Sequence, residues 1–225
     1  MENALIIMAK VPFPGEVKTR LASTLSPEGA AELAHCFILD VMDLTQRVLD
    51  CEVVLAYSPD DADEYFREVC KKIGIQIPQG EGDLGQRMQH VFTTLFDKGY
   101  SKVILIGTDI PTLPLHHLQE AFTGLEEHPV VLGPSLDGGY YLLGLQSMIP
   151  EIFSDIDWGT DRVLRQTVNR LSDEEIQAII LPLWYDVDTL EDLDFLVAHL
   201  DLIRNYTEER LPEHTVEFLE REELF

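Results

Sequence analysis

The sequence predicts an α/β fold: a mainly parallel sheet with helices on both faces. Two observations carry that expectation. Short apolar runs alternate along the chain with stretches of helical periodicity. Residues 103–109, Val-Ile-Leu-Ile-Gly-Thr-Asp, form a continuous apolar run, β-branched at Val103, Ile104 and Ile106, that ends in a glycine, a hydroxyl and a carboxylate. Such a run reads as a strand buried on both faces, as in the middle of a parallel sheet. Ligands of open α/β sheets bind at the carboxyl ends of the strands, so Asp109 is a candidate functional carboxylate.

Composition narrows the classes. The chain has 225 residues, with 45% hydrophobic and 25% charged side chains, which is ordinary for a globular protein. Its formal net charge is −25, with 16 Lys and Arg against 41 Asp and Glu. A chain this acidic is a poor nucleic-acid binder, because phosphate contacts need clustered cations. Three unpaired cysteines and the lack of a basic, apolar leader predict a cytoplasmic protein without a membrane partner. With no repeat or linker, residues 1–206 read as one domain and 207–225 as an acidic helical tail. That tail would pack on the surface or against a second copy in a homodimer.

Residues 4–9 read as a buried first strand. It runs into a loop where Pro12, Pro14 and Gly15 exclude regular structure. The same loop carries Lys10, Lys18 and Arg20, an arrangement suited to a di- or triphosphate. Ser26-Pro27 signals a helix start, with Ser as N-cap and Pro in the first turn. Residues 51–57 form a second strand, and Ser58-Pro59-Asp60-Asp61 has the spacing of a capped helix running to about residue 73. Residues 75–78 form a short strand that Pro78 assigns to a sheet edge. Gly80, Gly82 and Gly85 match the dinucleotide-binding spacing, but in the wrong βα turn and beside Glu81 and Asp83, which would repel a pyrophosphate. Asp83 and Arg87 are spaced for a helix-surface ion pair.

After the central strand and a helix at 115–125, residues 130–132 begin another strand. The turn Asp137-Gly138-Gly139 then returns the chain as a hairpin, and its glycines would let backbone approach a ligand. Residues 155–160 form a loop, 161–171 a helix and 176–184 a strand. That strand closes in Tyr185-Asp186-Val187-Asp188-Thr189, where Thr189 can cap the last long helix.

Taken together, these blocks resemble a known family. Ala9-Lys10-x-Pro12-x-Pro14-Gly15-x-Val17-Lys18-Thr19-Arg20-Leu21 is similar to the opening of a bacterial family assigned to the GT-A, nucleotide-diphospho-sugar transferase fold. Gly82-Asp-Leu-Gly-Gln-Arg87, Gly107-Thr-Asp-Ile-Pro111, Gly133-Pro-x-x-Asp-Gly-Gly-Tyr-Tyr141, Trp158-Gly-Thr160 and Asp186-Val-Asp-Thr189 resemble it further. More distantly the chain is similar to guanylyltransferases acting on phospholactate and on the molybdenum cofactor.

The resemblance implies a site. Nucleotide phosphates would meet Lys10, Gly15, Lys18 and Arg20, with Gly82, Asp83, Arg87 and Thr108 on the nucleotide side. Asp109 would bind Mg²⁺ or Mn²⁺, with Asp188 or Asp186 as the second metal contact. Lys18 and Asp109 would be catalytic. Ser135, Asp137, Gly138, Gly139, Tyr140, Trp158 and Thr160 would line the side of a small-molecule acceptor. The leading expectation is metal-dependent glycosyl transfer from a sugar nucleotide. The alternatives are nucleotidyl transfer with release of pyrophosphate, and a nucleotide-binding protein without catalysis. A haloacid-dehalogenase-type phosphatase is disfavoured, since its carboxylate pair follows the first strand and Asp186-Val-Asp188 follows the last.

Overall fold

The computed structural model describes residues 2–225. Along the chain come β1 (Asn3–Lys10), α1 (Ala22–Thr45), β2 (Glu52–Ser58), α2 (Asp63–Val69), β3 (Ile75–Pro78) and α3 (Leu84–Asp97). Then follow β4 (Lys102–Ile106), α4 (Leu115–Glu127), β5 (Val130–Pro134) and β6 (Tyr140–Leu145). A 3₁₀ turn at Pro150–Phe153, α5 (Val163–Asp173), β7 (Ala178–Ile180), α6 (Leu190–Tyr206) and α7 (Glu213–Arg221) complete it.

The seven strands form one sheet in the order β3-β2-β1-β4-β6-β5-β7. The β1–β2, β1–β4, β2–β3 and β5–β7 pairs are parallel, and β6 runs antiparallel to both β4 and β5. The expected mainly parallel sheet is therefore present, with β3 at an edge as Pro78 required. The apolar run of β4 lies near the middle, between β1 and β6, with Val103, Ile104 and Ile106 fully buried. Hairpin pairing lets β6 slip in beside β4, ahead of the strand that precedes it in sequence. Local periodicity carries no information about that insertion.

Strand alternation divides the interior into two layers. Leu5 and Ile7 pack with Ile38 and Val41 of α1, Phe66 of α2 and Leu118 of α4. Ala4 and Ile6 face the opposite way, toward Met88, Val91 and Phe92 of α3 and Leu171 of α5. Helices thus cover both faces. A third apolar cluster joins Leu33 and Phe37 of α1, Leu196 and Leu200 of α6, and Phe218 and Leu219 of α7. Each of these buried Leu or Phe side chains contributes about 1.5–3 kcal/mol.

Local details refine the sequence expectations. The first helix begins as a short turn, breaks at Ser26 (φ 64°), and restarts at Pro27 with Ser26 Oγ accepting from the Gly29 amide at 3.2 Å. Ser58 does not cap α2: that helix starts at Asp63 without a side-chain cap and ends at Val69, short of the expected residue 73. The Ser58-Pro59 peptide is cis, and Asp60 is drawn to the Gly80 amide at 3.2 Å. The tail helix α7 lies on α1, where Arg221 meets Glu32 at 2.8 Å. Among the described residues, no helix is long and apolar enough to cross a membrane.

Candidate active site

The loop after β1 is shaped by its own sequence. Val11 donates to Ser58 O at 2.9 Å and Glu16 to Phe13 O at 3.0 Å, while Gly15 takes a left-handed backbone (φ 81°) that suits a residue without Cβ. Leu21 is fully buried in the third cluster and anchors the far end. Between these fixed points Lys18, itself at φ 46°, turns its side chain inward over the Phe37 ring. Only 4% of that side chain is exposed.

The Lys18 ammonium lies between two carboxylates far apart in sequence. Its Nζ is 2.7 Å from Asp109 Oδ1 and 2.7 Å from Asp188 Oδ1. Asp109 follows the carboxyl end of β4, and its carbonyl accepts from the Val187 amide at 2.9 Å, which ties it to the segment leading into α6. Asp188 is held by the start of α6: Asp192 accepts from the amides of Asp188 and Thr189, and Thr189 Oγ1 accepts from the Asp192 amide. The expected cap at Thr189 is thus a full capping box. Thr112 adds a tie, donating to the Tyr185 hydroxyl at 2.9 Å.

Electrostatics follow from this geometry. Burial pulls the Lys18 pKa down, but Asp109 and Asp188 outweigh it and hold the lysine above its ordinary value. Burial pushes Asp188 up, and Lys18 overrides it and keeps Asp188 below the usual carboxylate range. Asp186 differs. Burial raises it to about 6, with Asp137 and Asp188 adding repulsion and the Ser135 hydroxyl, which donates to it at 2.5 Å, opposing the rise.

Asp109 and Asp188 keep 44% and 42% of their side chains exposed although each gives one oxygen to Lys18. Among the described residues, no three His, Cys, Asp or Glu side chains form a ready metal cage. Two half-exposed carboxylates are nonetheless the donor set that Mg²⁺ and Mn²⁺ take from a protein when substrate oxygens complete the shell. A cleft of about 330 Å³ opens beside Asp109, lined by Lys10, Gln79, Leu84, Met88, Thr108 and Tyr140 among others. A second cleft, of about 350 Å³, lies between α1 and residues 208–213 and includes none of Lys18, Asp109 and Asp188.

The remaining sequence candidates fall into two groups. Lys10, Thr108 and Tyr140 line the cleft beside Asp109, Lys10 also donating to Glu16 O at 3.1 Å. Arg20 is exposed and near enough to help depress the Asp188 pKa. Ser135 and Asp137 sit around Asp186. The others are bonded within the chain. Asp83 caps α3 in a capping box with Gln86, and the expected ion pair to Arg87 does not form. Arg87 instead donates to Gly82 O at 3.0 Å and reaches Ser58 Oγ at 3.4 Å. Gly82 (φ 103°) leaves room for the Gln86 side chain. Thr160 donates to Asp157 O at 2.8 Å.

Two close approaches expected to face a ligand are internal. A Cβ on Gly138 would lie 2.3 Å from Asp161 O, so this glycine accommodates the start of α5. Gly139 receives the Ser135 amide on its carbonyl, closing the hairpin turn. The Trp158 indole lies against Gly85, where a Cβ would come within 2.2 Å of its Nε1. Sequence reasoning also missed Gln79. Its buried amide donates to Ala9 O at 3.1 Å and Ala56 O at 2.9 Å, and so fixes the floor of the cleft. A glutamine before a glycine-rich turn gives no sign of burial, since Gln is mostly exposed.

Residues 41–160 match the family described as an uncharacterized protein conserved in bacteria (DUF2064). The chain belongs to that family. A crystal structure of a "putative nucleotide-diphospho-sugar transferase" from Desulfovibrio desulfuricans G20 is 34% identical, covering 99% of this chain and 95% of that one with a TM-score of 0.90. The 2-phospho-L-lactate guanylyltransferase of Methanothermobacter thermautotrophicus is 26% identical over 81% of this chain and 79% of its own length. The Rv0371C protein of Mycobacterium tuberculosis, in complex with manganese, is 12% identical, with a TM-score of 0.53 over 87% of this chain and 97% of that one, and shares the fold. The chain accordingly has the GT-A-like architecture and the transferase class that its motifs implied.

Proposed function

We propose that this protein is a metal-dependent nucleotidyltransferase. The single observation that carries the reading is the meeting of Asp109 and Asp188 around one cation, at the carboxyl end of the sheet and next to an open cleft. Asp109 and Asp188 would hold Mg²⁺ or Mn²⁺. Asp186 bonds Ser135 and serves the acceptor side. The metal, when bound, would neutralise charge on the phosphates as the leaving group departs. Lys10, Arg20 and the amides around Gly15 bind and orient the nucleotide phosphates. Ser135, Asp137 and the turn to Tyr140 border the acceptor.

Nucleotidyl transfer is favoured over glycosyl transfer for a chemical reason. A phosphate or carboxylate acceptor is already an anion and needs no general base. The likeness to a guanylyltransferase over four-fifths of the chain supports the same choice. Glycosyl transfer is retained as a second reading because the 34%-identical relative carries a nucleotide-sugar name.

The test is identification of the leaving group. The protein is incubated with Mn²⁺, GTP or CTP and a phosphorylated 2-hydroxy acid such as 2-phospholactate. Pyrophosphate release that requires both metal and acceptor supports the reading. In a parallel thermal-shift series, stabilisation should need metal and nucleotide together. Release of a nucleoside diphosphate from a sugar nucleotide, or nucleotide binding unchanged by chelator, would overturn it.

A further inference from the structure

We propose that Lys18 is a resident counter-ion of the Asp109–Asp188 pair, which a divalent metal must displace, so that metal alone binds weakly and binds well only with the nucleotide. This rests on the metal-dependent reading above.

The ammonium already occupies the point where Asp109 Oδ1 and Asp188 Oδ1 converge, 2.7 Å from each. A metal bonded to either oxygen at about 2.0–2.1 Å would stand within a few ångströms of that positive charge, with no water layer between them. The side chain is nearly sealed from solvent, so water and salt screen the repulsion less than at the surface. The three groups together carry a formal charge of −1, from two carboxylates and one ammonium. Without the lysine they carry −2, a much better metal site.

Among the described residues no other cation bonds the pair: Lys10 is engaged with Glu16, and Arg20 makes no ion pair and acts on Asp188 only through its more distant charge. Incoming phosphates supply the missing negative charge. They attract the metal and give the released ammonium a new partner in the same loop. Lys18 thus keeps two like charges together while the site is free of nucleotide, and its displacement couples metal binding to nucleotide binding.

The test measures Mn²⁺ binding rather than activity. Free Mn²⁺ is followed by electron paramagnetic resonance on the full chain, wild type against Lys18→Met and Lys18→Gln, without nucleotide and then with GTP. Wild type should bind Mn²⁺ weakly alone and at least tenfold more tightly with GTP. Both variants should bind Mn²⁺ alone at least tenfold more tightly than wild type, and Mn²⁺ should restore their lowered thermal midpoints. A lysine-labelling footprint on wild type checks the same point without a mutation: Lys18 should be protected without metal and labelled at saturating Mn²⁺. Variants that bind Mn²⁺ no more tightly than wild type, or a Lys18 still protected under Mn²⁺, would overturn the counter-ion role. If wild type takes up no Mn²⁺ even with GTP or CTP, it is the metal-dependent reading that fails.

Discussion

Two junctions in this molecule join carboxylates to distant parts of the chain, and they differ in what they leave over. At the sheet end, Asp188 meets Lys18 across 170 residues and Asp109 meets the same ammonium. Elsewhere, Asp40 of α1 meets α7 across 175 residues: its two oxygens accept from the His214 and Thr215 amides and from the Thr215 hydroxyl. Pro212 precedes α7 and supplies no side-chain cap, so Asp40 caps that helix from another element. Asp40 is 6% exposed and its oxygens are taken up by donors. Asp109 and Asp188 are held by fewer bonds and stay nearly half exposed. A carboxylate saturated by backbone donors stabilises a fold. One that is fixed in place but still open to solvent can also bind something else.

The largest effect should come from breaking the first junction. Asp109→Asn keeps the shape and removes one charge facing the cation. If the junction serves chemistry, pyrophosphate release should fall by about 10²–10³-fold, the scale seen when one preorganised charge-stabilising group is lost. The metal-dependent part of nucleotide-induced stabilisation should vanish with it. A variant that melts normally and turns over at the wild-type rate would remove the distinction between the junctions.

The second junction should respond in the opposite sense. Asp40→Ala leaves the α7 amides without an acceptor and should cost about 2 kcal/mol through loss of the cap. For a chain of this size that lowers the thermal midpoint by about 4–8 °C. Activity at low temperature should be unchanged. Burial lifts the Asp40 pKa above its ordinary value, against the opposing bonds from Thr215 and His214. With the folded pKa raised, this group's contribution is greatest below the ordinary carboxylate range and declines as pH rises through the lifted value. The stability gap between wild type and Asp40→Ala should therefore be narrower at neutral pH than in mild acid, which urea melts at the two pH values would read.

The sequence revealed these junctions unequally. The strand end leading to Asp109 was legible because an apolar run that stops at a carboxylate has few meanings, whereas the strand expected over 176–184 shrinks to Ala178–Ile180 and Asp188 lies at the entry to α6 instead. The Thr189 cap and the Pro78 edge were legible because each depends on the residue's own backbone chemistry. The direction of the Lys18 side chain was not. A lysine in a Pro-Gly loop reads as solvent-facing, and only the packing of Leu21 and Phe37 turns it inward. The Asp40–Thr215 cap was illegible for the same reason, since both partners look ordinary within their own helices. Gly85 and Gly138 were noticed as glycines, but their neighbours Trp158 and Asp161 arrive from another part of the chain. Rules of local conformation place the elements, while long-range contacts decide which side chains meet.

The smallest predicted effect tests how far the active-site junction depends on a cap of its own. Thr189→Ala removes the hydroxyl that accepts the Asp192 amide and donates to the Asp192 carboxylate, so α6 should lose about 1 kcal/mol. The same Asp192 carboxylate receives the Asp188 amide at 3.1 Å, so freeing it loosens the backbone that carries Asp188. The variant should show a small drop in thermal midpoint together with a several-fold weaker response to Mn²⁺ in the presence of nucleotide. Thr189→Ser keeps the hydroxyl and should restore both. A drop in stability with an unchanged Mn²⁺ response would mean that the Lys18 ion pair alone fixes Asp188, leaving the cap to serve the helix in the way Asp40 serves α7.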